Sequence, residues 1–326
     1  MLQLSLNGTL ALNFNDGNGL LVHPDGSEQR LPGLNPIAAA SSDGWVPVTF
    51  GPGFVSETSW YHPVTKELRP FGHPNETWPS WVGEQLVYIG QVNGVRSLVS
   101  QTPSDLRSLP LPGANPAALW MIHAANERYV LLGAYGPPEE LWRVDVQALT
   151  AERITMVAPA GLALVPYWYG RVQVDSSGGV LQAFDGELGS AMFRSLDLGA
   201  TWTQLDPFRA PKEGAFARSY AQMIERAGTL LLLPQDQVGY LSLFGPAQVV
   251  RPAEALSAEI PMAKISQYPY AVRPALSSDG LCVSYWKEVG EGDRTLTVFD
   301  LRSGEETLLG ADADAAEVLG DPVWLR

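Results

Sequence analysis

One hairpin pattern recurs seven times along this chain of 326 residues. Its clearest copy is TLTVFDLRSGEETLLG, from Thr295 to Gly310, which reads as an alternating strand, a polar turn and a second short strand. The other copies start at Leu20, Ser59, Ser97, Leu141, Met192 and Gly239. Successive copies start about 38 to 56 residues apart, the length that four short strands and their turns require. Such a period indicates an array of units that bury their apolar faces on one another.

A second signature precedes most of these hairpins. It is a proline-led strand, a tight turn and an apolar strand, as in NPIAAASSDGWVPVTF (35–50) and RPALSSDGLCVSYW (273–286). The Asp-Gly pair supplies the positive φ that a tight hairpin needs. Each unit is therefore predicted to be an antiparallel meander of four strands, named A to D from the inside outward.

The two termini each contain part of one unit. The segment GDPVWLR (320–326) reads as an A strand with nothing after it, and residues 1–33 read as strands B, C and D without an A strand. Joined, they form a mixed blade that closes a ring and removes its open edges.

The prediction is an all-β, seven-bladed β-propeller of four-stranded antiparallel blades, closed by a blade that the N- and C-termini share. It is a single domain, 1–326. The approximate blade boundaries are 34–72, 73–113, 114–158, 159–207, 208–252, 253–310, and 311–326 joined with 1–33. Two Ala- and Glu-rich segments, 252–266 and 311–319, are predicted to lie between blades, and each could form a short helix.

The repeat, a proline followed by Ser, Asp-Gly and alternating apolar residues, resembles that of TolB-like and WD-repeat-like bacterial propellers. The match is best over 273–310 and next best over 35–72. One hairpin fits S-x-D-x-G-x-T-W and is similar to the Asp-box of sialidases and related propellers; its matching residues are Ser195, Asp197, Gly199, Thr201 and Trp202. The resemblance implies a turn between strands C and D, in which Asp197 bonds turn amides and Trp202 packs between sheets, remote from the ligand-binding face.

Composition excludes several classes of function. A net charge of −14 disfavours nucleic acid and anionic membranes, both of which need a cationic face. The single cysteine, Cys282, forms no internal disulfide and is predicted to be buried, and four scattered histidines predict no metal site. No cofactor is expected. The N-terminus lacks the pattern of a signal peptide, so a cytoplasmic protein, monomeric in its simplest form, is expected.

No catalytic motif for a hydrolase elbow, a phosphate-binding loop or a zinc protease is present. Propellers bind ligands where the segments that enter the inner strands converge over the channel. The candidates there are Asn35, Trp78, Asn115, Arg171, Arg218, Tyr220, Tyr270, Arg273 and Asp321. Three arginines from adjacent blades could clamp a carboxylate, with aromatic side chains beside them. Two long connections add Lys212, Glu213 and Glu259 as rim or acid–base candidates.

Three functions remain open at this point. The leading one is a non-enzymatic propeller that binds a protein, peptide or small-molecule ligand at the channel mouth. The second is a carbohydrate-active enzyme, either a lyase or a sialidase-like glycosidase, for which Tyr220 and Glu225 would be the nearest tyrosine–glutamate pair. The third is a structural or assembly subunit, which predicts exposed Trp and Leu on a flat face.

Overall fold

The structure is a computed structural model, and it describes most of the chain. The described residues are 9–13, 18–36, 43–50, 58–71, 80–83, 85–112, 118–135, 140–164, 172–186, 189–211, 219–238, 241–244, 247–260, 274–277, 279–288, 294–309 and 323–325. In these ranges the backbone forms strands and a single turn of 3-10 helix, Pro252–Glu254. Within them, no helix has the length and apolar character that crossing a membrane requires.

The strands form seven antiparallel sheets in a ring, which is a seven-bladed β-propeller. The N-terminal strands of blade 7 are β1 (Thr9–Asn13), β2 (Gly19–Val22) and β3 (Glu28–Leu31). Blade 1 contains β4 (Leu34–Pro36), β5 (Val46–Phe50), β6 (Thr58–Tyr61) and β7 (Leu68–Pro70). Blade 2 contains β8 (Ser80–Val82), β9 (Gln85–Val92), β10 (Val95–Gln101) and β11 (Leu106–Pro110). Blade 3 contains β12 (Leu119–Ala125), β13 (Tyr129–Tyr135), β14 (Glu140–Asp145) and β15 (Thr150–Ile154).

Blades 4 and 5 each have one strand position divided into two pieces. Blade 4 contains β16 (Ala163–Leu164), β17 (Val172–Val174), β18 (Val180–Gly186), β19 (Gly189–Ser195) and β20 (Thr203–Pro211). Blade 5 contains β21 (Ser219–Arg226), β22 (Thr229–Val238), β23 (Leu241–Phe244), β24 (Ala247–Arg251) and β25 (Leu256–Ile260). Blade 6 contains β26 (Ala275–Leu276), β27 (Cys282–Glu288), β28 (Arg294–Asp300) and β29 (Glu306–Leu309), and β30 (Val323–Leu325) completes blade 7. In both divided positions the two pieces pair with the same neighbour, so each blade keeps four strand positions.

Ring closure through the two termini is confirmed. Strand β30 pairs antiparallel with β1, with Trp324 opposite Leu10. Trp324 is fully buried, and its indole N–H donates to the hydroxyl of Ser284 at 3.0 Å, in blade 6. The C-terminal strand is therefore held by its own blade and by the preceding one.

The core lies between adjacent sheets and follows the two-residue period of a strand. On β13, Val130 and Leu132 pack toward Val87 of blade 2, whereas the intervening Leu131 packs toward Val172 of blade 4. Alternate side chains of one strand thus serve the two neighbouring interfaces. The same burial includes Cys282, which is 2% exposed, as predicted.

Blade 5 departs from the prediction. The segment from Gly239 to Pro252 was expected to be an outer hairpin, but β23 and β24 both pair with β22 and occupy one strand position. The outer strand is β25, which pairs with β24, so this blade reaches Ile260, beyond the predicted boundary at 252. The helix expected within 252–266 is limited to three residues of 3-10 helix, since 256–260 is a strand. The other predicted helix, 311–319, lies outside the described residues.

Candidate functional site

The entrance face is the end of the ring where the inner strands begin. Strands β17 and β21 begin directly after Arg171 and Arg218, and β26 begins two residues after Arg273. Strands β8 and β30 likewise begin two residues after Trp78 and Asp321. Seven of the predicted channel-face residues lie outside the described ranges: Trp78, Asn115, Arg171, Arg218, Tyr270, Arg273 and Asp321. Their arrangement at this face stays a prediction.

Besides Asn35, Tyr220 is the residue of that predicted set whose backbone is described. It is the second residue of β21, and Glu225 is the last but one residue of the same strand. At about 3.3 Å per residue the two positions lie about 16 Å apart, at opposite ends of the channel. The backbone thus separates the two positions of the tyrosine–glutamate pair suggested for a sialidase-like site.

The remaining entrance candidates are not assembled by the described structure. Asn35 lies within β4 and is buried. Glu259 lies on β25, the outermost strand of blade 5, and not in a segment that enters an inner strand. Asn115, Lys212 and Glu213 lie outside the described residues.

The turn face is the opposite end of the ring, formed by the A–B and C–D turns. Several of these turns contain an aspartate whose carboxylate accepts hydrogen bonds from backbone N–H groups two to four residues later in the chain. Asp145, for example, accepts from the N–H of Gln147 at 3.0 Å and of Ala148 at 2.9 Å. The same geometry recurs at Asp25, Asp175, Asp197, Asp279 and Asp300. These carboxylates satisfy the turn amides, so their first role is to hold the turns.

The turn at 195–202 has the most complete set of these bonds. Asp197 accepts from the N–H of Thr201 at 2.8 Å and from the Thr201 hydroxyl at 2.6 Å, and the Ser195 hydroxyl donates to it as well. These bonds lower the pKa of Asp197 to about 2. The Trp202 indole N–H donates to the carbonyl of Val157 in blade 3, and its ring meets Phe184 edge-on at 4.9 Å. The turn therefore fastens blade 4 to blade 3.

Glu225 is the most perturbed carboxyl group on the turn face. It is 7% exposed, and it accepts a hydrogen bond from the N–H of Gly228 at 2.9 Å. Burial raises the pKa of Glu225 to about 7, and the nearby carboxylates of Asp175 and Glu127 add to the increase. Glu127, Asp175 and Glu225 thus lie at or just after the ends of three consecutive inner strands, where Asp175 is also ion-paired with Arg194. No group of described His, Cys, Asp or Glu side chains is arranged to hold a metal ion.

A histidine–tyrosine pair lies on the inner part of blade 3. His123 is the extra residue of a β-bulge in β12, where the pairing with β13 shifts between Ile122 and Ala124. Its Nε2 lies 2.8 Å from the Tyr135 hydroxyl, and a Cβ atom at position 133 would collide with the imidazole, so Gly133 provides the space for the ring. Burial lowers the pKa of His123 to about 4, so the imidazole is neutral at pH 7.

A third polar cluster crosses blade 6. The Tyr285 hydroxyl donates to Glu306 at 2.5 Å, and Lys287 forms an ion pair with the same carboxylate. The ammonium group of Lys287 and the phenol lower the pKa of Glu306, whereas burial raises the pKa of Tyr285. Tyr285 and Lys287 lie on strand B and Glu306 lies on strand D, so these contacts connect strands B and D across strand C.

No protein-family model and no curated protein is detectably similar to this sequence. Among solved structures, the fold is similar to a prolyl endopeptidase, at 13% identity and a TM-score of 0.56 over 92% of this chain and 49% of that one. The chain spans about half the length of that protein. It is also similar to oligogalacturonate lyase from Vibrio parahaemolyticus, at 11% identity and a TM-score of 0.53 over 93% and 86% of the two chains.

TolB from Acinetobacter baumannii matches at 10% identity and a TM-score of 0.49, over 99% of this chain and 68% of that one. The matches to the prolyl endopeptidase and the lyase, with TM-scores of 0.56 and 0.53, show a shared fold alone, and their low identities leave the activity undetermined.

The His123–Tyr135 pair is not among the residues that the sequence predicts to be functional. The histidine is one of four scattered along the chain, and twelve positions separate it from its partner. The available signal was LWMIHAA, a strand in which a histidine interrupts an apolar run, followed by a strand with a glycine in its interior. A glycine at such a position indicates that a neighbouring group approaches the backbone closely.

Proposed function

We propose that the protein is a non-enzymatic propeller that binds a protein, a peptide or a small molecule at the entrance face. The observation that carries this proposal is the difference between the two faces. On the turn face, several aspartates accept hydrogen bonds from backbone N–H groups of their own turns. These aspartates hold their own turns, whereas the entrance face is where the sequence places arginine and aromatic side chains that no turn requires.

The chemistry of the entrance candidates favours an anionic group on the ligand. Arg171, Arg218 and Arg273 precede inner strands of blades 4, 5 and 6, three consecutive blades. Guanidinium groups bind carboxylates through two parallel hydrogen bonds, and aromatic side chains such as Tyr220 and Tyr270 supply apolar area beside them. We take the repeat to be a divergent TolB-like or WD-repeat-like one, and the turn at 195–202 to be a single Asp-box.

Charge also bears on the partners and the site. A net charge of −14 speaks against nucleic acid and membrane surfaces as partners. A cluster of arginines on such an acidic protein would be a local exception, and it would attract an anion to that place alone. A cytoplasmic monomer is the simplest form consistent with this proposal.

The test is a binding assay with the triple variant R171A/R218A/R273A. Succinate, galacturonate and triglycine serve as carboxylate probes, measured by thermal shift and calorimetry up to about 10 mM, where weak binding becomes visible. At least one probe is expected to bind the wild type and to lose affinity at least tenfold in the variant. The matched control R30A/R153A/R302A removes three exposed arginines from outer strands and turns, and it should bind as the wild type does. Equal loss in both variants, or binding that survives in the first, would contradict the proposal.

A carbohydrate-active enzyme is the second candidate function, and the arginine-rich entrance favours it through acidic sugars. Oligogalacturonate lyase from Vibrio parahaemolyticus has a similar fold, although 11% identity transfers no activity. A glycosidase would need two carboxyl groups about 5 Å or 6.5–9.5 Å apart across the substrate. Incubation with polygalacturonate, followed by ultraviolet absorbance of the unsaturated product, tests a lyase directly. Turnover that R171A/R218A/R273A abolishes would replace the non-enzymatic proposal.

A further inference from the structure

Three large apolar side chains lie exposed at the entrance ends of strands in three consecutive blades. Strand A begins at the entrance face, so strand B ends there and strand C begins there. Phe50 is the last residue of β5 in blade 1 and lies opposite Leu34, the first residue of β4. Val95 is the first residue of β10 in blade 2, and Leu119 is the first residue of β12 in blade 3. Phe50, Val95 and Leu119 together are named the apolar rim.

The exposure of the apolar rim is not required by the fold. Phe50 is 38% exposed, Val95 50% and Leu119 62%. The tight turn before Val95 is made by Asn93 and Gly94, which both have positive φ, and it makes no demand on the residue that follows. A threonine at each rim position would suit a strand end and leave less apolar surface in water. Single exposed apolar residues are common, whereas several at one end of the ring mark an interaction surface.

A hydrogen bond between blades 2 and 3 fixes part of the rim. Arg96, the residue after Val95, donates from Nη1 to the carbonyl oxygen of Ala118, the residue before Leu119, at 2.9 Å. The side chain of Arg96 therefore bridges the backbone that carries Val95 and the backbone that carries Leu119. A surface held in place before binding loses less conformational freedom when a ligand covers it.

We propose that the apolar rim selects a peptide whose free C-terminal carboxylate accompanies large apolar side chains. The inference rests on the proposed function, since the carboxylate is assigned to the arginine candidates of blades 4 to 6 and the rim adds blades 1 to 3. Rim residues on three separate blades need several apolar groups spaced along the ligand. An extended peptide supplies them about 6.6 Å apart on one side of its chain.

Charge also favours this occupant over a second copy of the chain. A peptide carboxylate complements the arginine candidates Arg171, Arg218 and Arg273. A second copy, with a net charge of −14, would be repelled by the first. A fatty acid complements the arginines equally well, but its single alkyl chain covers less of a rim that extends over three blades.

The experiment compares two acetylated tetrapeptides with free carboxylates, acetyl-GLGL and acetyl-GSGS, by calorimetry up to about 10 mM. The leucine peptide is expected to bind the wild type at least tenfold more tightly than the serine peptide, because apolar side chains are buried against the rim. The variant F50T/V95T/L119T is expected to reduce this preference to less than about threefold.

The matched control is V64T/L68T/L308T. It removes three apolar side chains that are 84%, 45% and 54% exposed, in the outer hairpins of blades 1 and 6. This variant should keep the wild-type preference for the leucine peptide. Thermal unfolding shows whether both variants are folded, and L119T alone serves if the triple rim variant is not. Equal loss of the preference in the rim and control variants, or a wild type without any preference, overturns the proposal.

The serine peptide separates this proposal from the arginine proposal. Loss of its binding in R171A/R218A/R273A reports on the arginines, whereas the ratio of the two peptide affinities reports on the rim, so either proposal can fail without the other. Two further results would replace the peptide with another occupant. Decanoate binding more tightly than acetyl-GLGL would indicate a lipid. A wild-type dimer that F50T/V95T/L119T dissociates, measured by light scattering, would indicate a second copy of the chain.

Discussion

His123 is partly buried and Glu225 is buried, on inner strands of blades 3 and 5, and these two ionisable side chains respond to pH in opposite directions. Burial favours the uncharged form of both groups. That form is the deprotonated one for histidine and the protonated one for glutamate. The pKa of His123 is therefore lowered to about 4, and the pKa of Glu225 is raised to about 7. The stability of the ring at a given pH depends on both.

For His123, stability is expected to fall as the pH is lowered from 6.5 toward 4. The unfolded chain, with an ordinary imidazole, binds a proton in this window, whereas the folded chain does not. The free energy of unfolding should drop by about 2 kcal/mol between pH 7 and pH 5 from this residue. Urea unfolding of the wild type and of H123Q at both pH values measures this drop in the free energy of unfolding. A smaller drop is expected in H123Q. H23Q, at an outer turn, is the control and should keep the wild-type dependence. An equal decrease in H123Q would contradict the assignment.

For Glu225 the sign is reversed. Its folded pKa lies above the value of an exposed glutamate, so the stability that it contributes is complete below about pH 4.5 and is lost as the pH rises through 7. The variant E225Q keeps an acceptor for the Gly228 amide and cannot ionise. It should be more stable than the wild type at pH 8, by about 2 kcal/mol, and close to it at pH 5. E259Q, on the exposed edge strand β25, should change neither value. A stability gain that is the same at both pH values would count against this account.

At the scale of elements, the turns decide how neighbouring blades are fastened. The 195–202 turn meets the end of blade 3 through its backbone: Thr155 donates to the carbonyl of Leu198 at 2.8 Å, and Val157 donates to that of Gly199 at 3.2 Å. Gly199 has φ of +85°, and a Cβ atom there would collide with the Thr155 carbonyl. Glycine is required here both by the conformation and by the close approach of another blade.

The variants G199A and G33A separate these two requirements. Gly33 also has a positive φ, +70°, but its Cβ direction is open. G33A should cost about 1 kcal/mol from the left-handed conformation alone. G199A should cost about 2 kcal/mol more, because the turn must move away from Thr155. Chemical denaturation of the two variants gives the difference, and equal losses would show that the contact between the blades contributes nothing.

The outer hairpins were predictable from sequence in six blades and not in blade 5. The predicted hairpins of blades 1, 2, 3, 4, 6 and 7 match the observed strand pairs, because each has an apolar strand, a turn signal and a second strand. In blade 5, the Gly-Pro at 245–246 resembles such a turn signal. The strands on either side nevertheless pair with the same partner, β22. A turn signal predicts a break in a strand, whereas the partner of each piece is decided by the surrounding sheet.

At the scale of the whole molecule, the shared blade controls whether the ring is closed. Trp324 is 1% exposed, and it anchors a strand of only three residues. W324A should lower the free energy of unfolding by about 3–5 kcal/mol, because it removes a large buried side chain and leaves a cavity. W324F, which keeps an aromatic ring and loses the indole N–H, should cost much less.

W324A also tests closure of the propeller ring, because an open ring is expected to self-associate. Loss of β30 would expose the edge of β1, which is a ready template for pairing with another chain. W324A should therefore form dimers or larger species at concentrations where W324F and the wild type do not, as measured by size-exclusion chromatography with light scattering. Full stability without association in W324A would mean that the terminal strand is dispensable for closure.

The sequence by itself determined the number of blades, the strand order within most of them and the closure by both termini. These features follow from periodicity and turn chemistry, which are properties of local segments. Only the tertiary structure decided the partner of each strand in blade 5 and the meeting of His123 with Tyr135. In each of these cases the deciding quantity is a distance across the sheet, set by register and by a bulge. Spacing along the chain does not contain that distance.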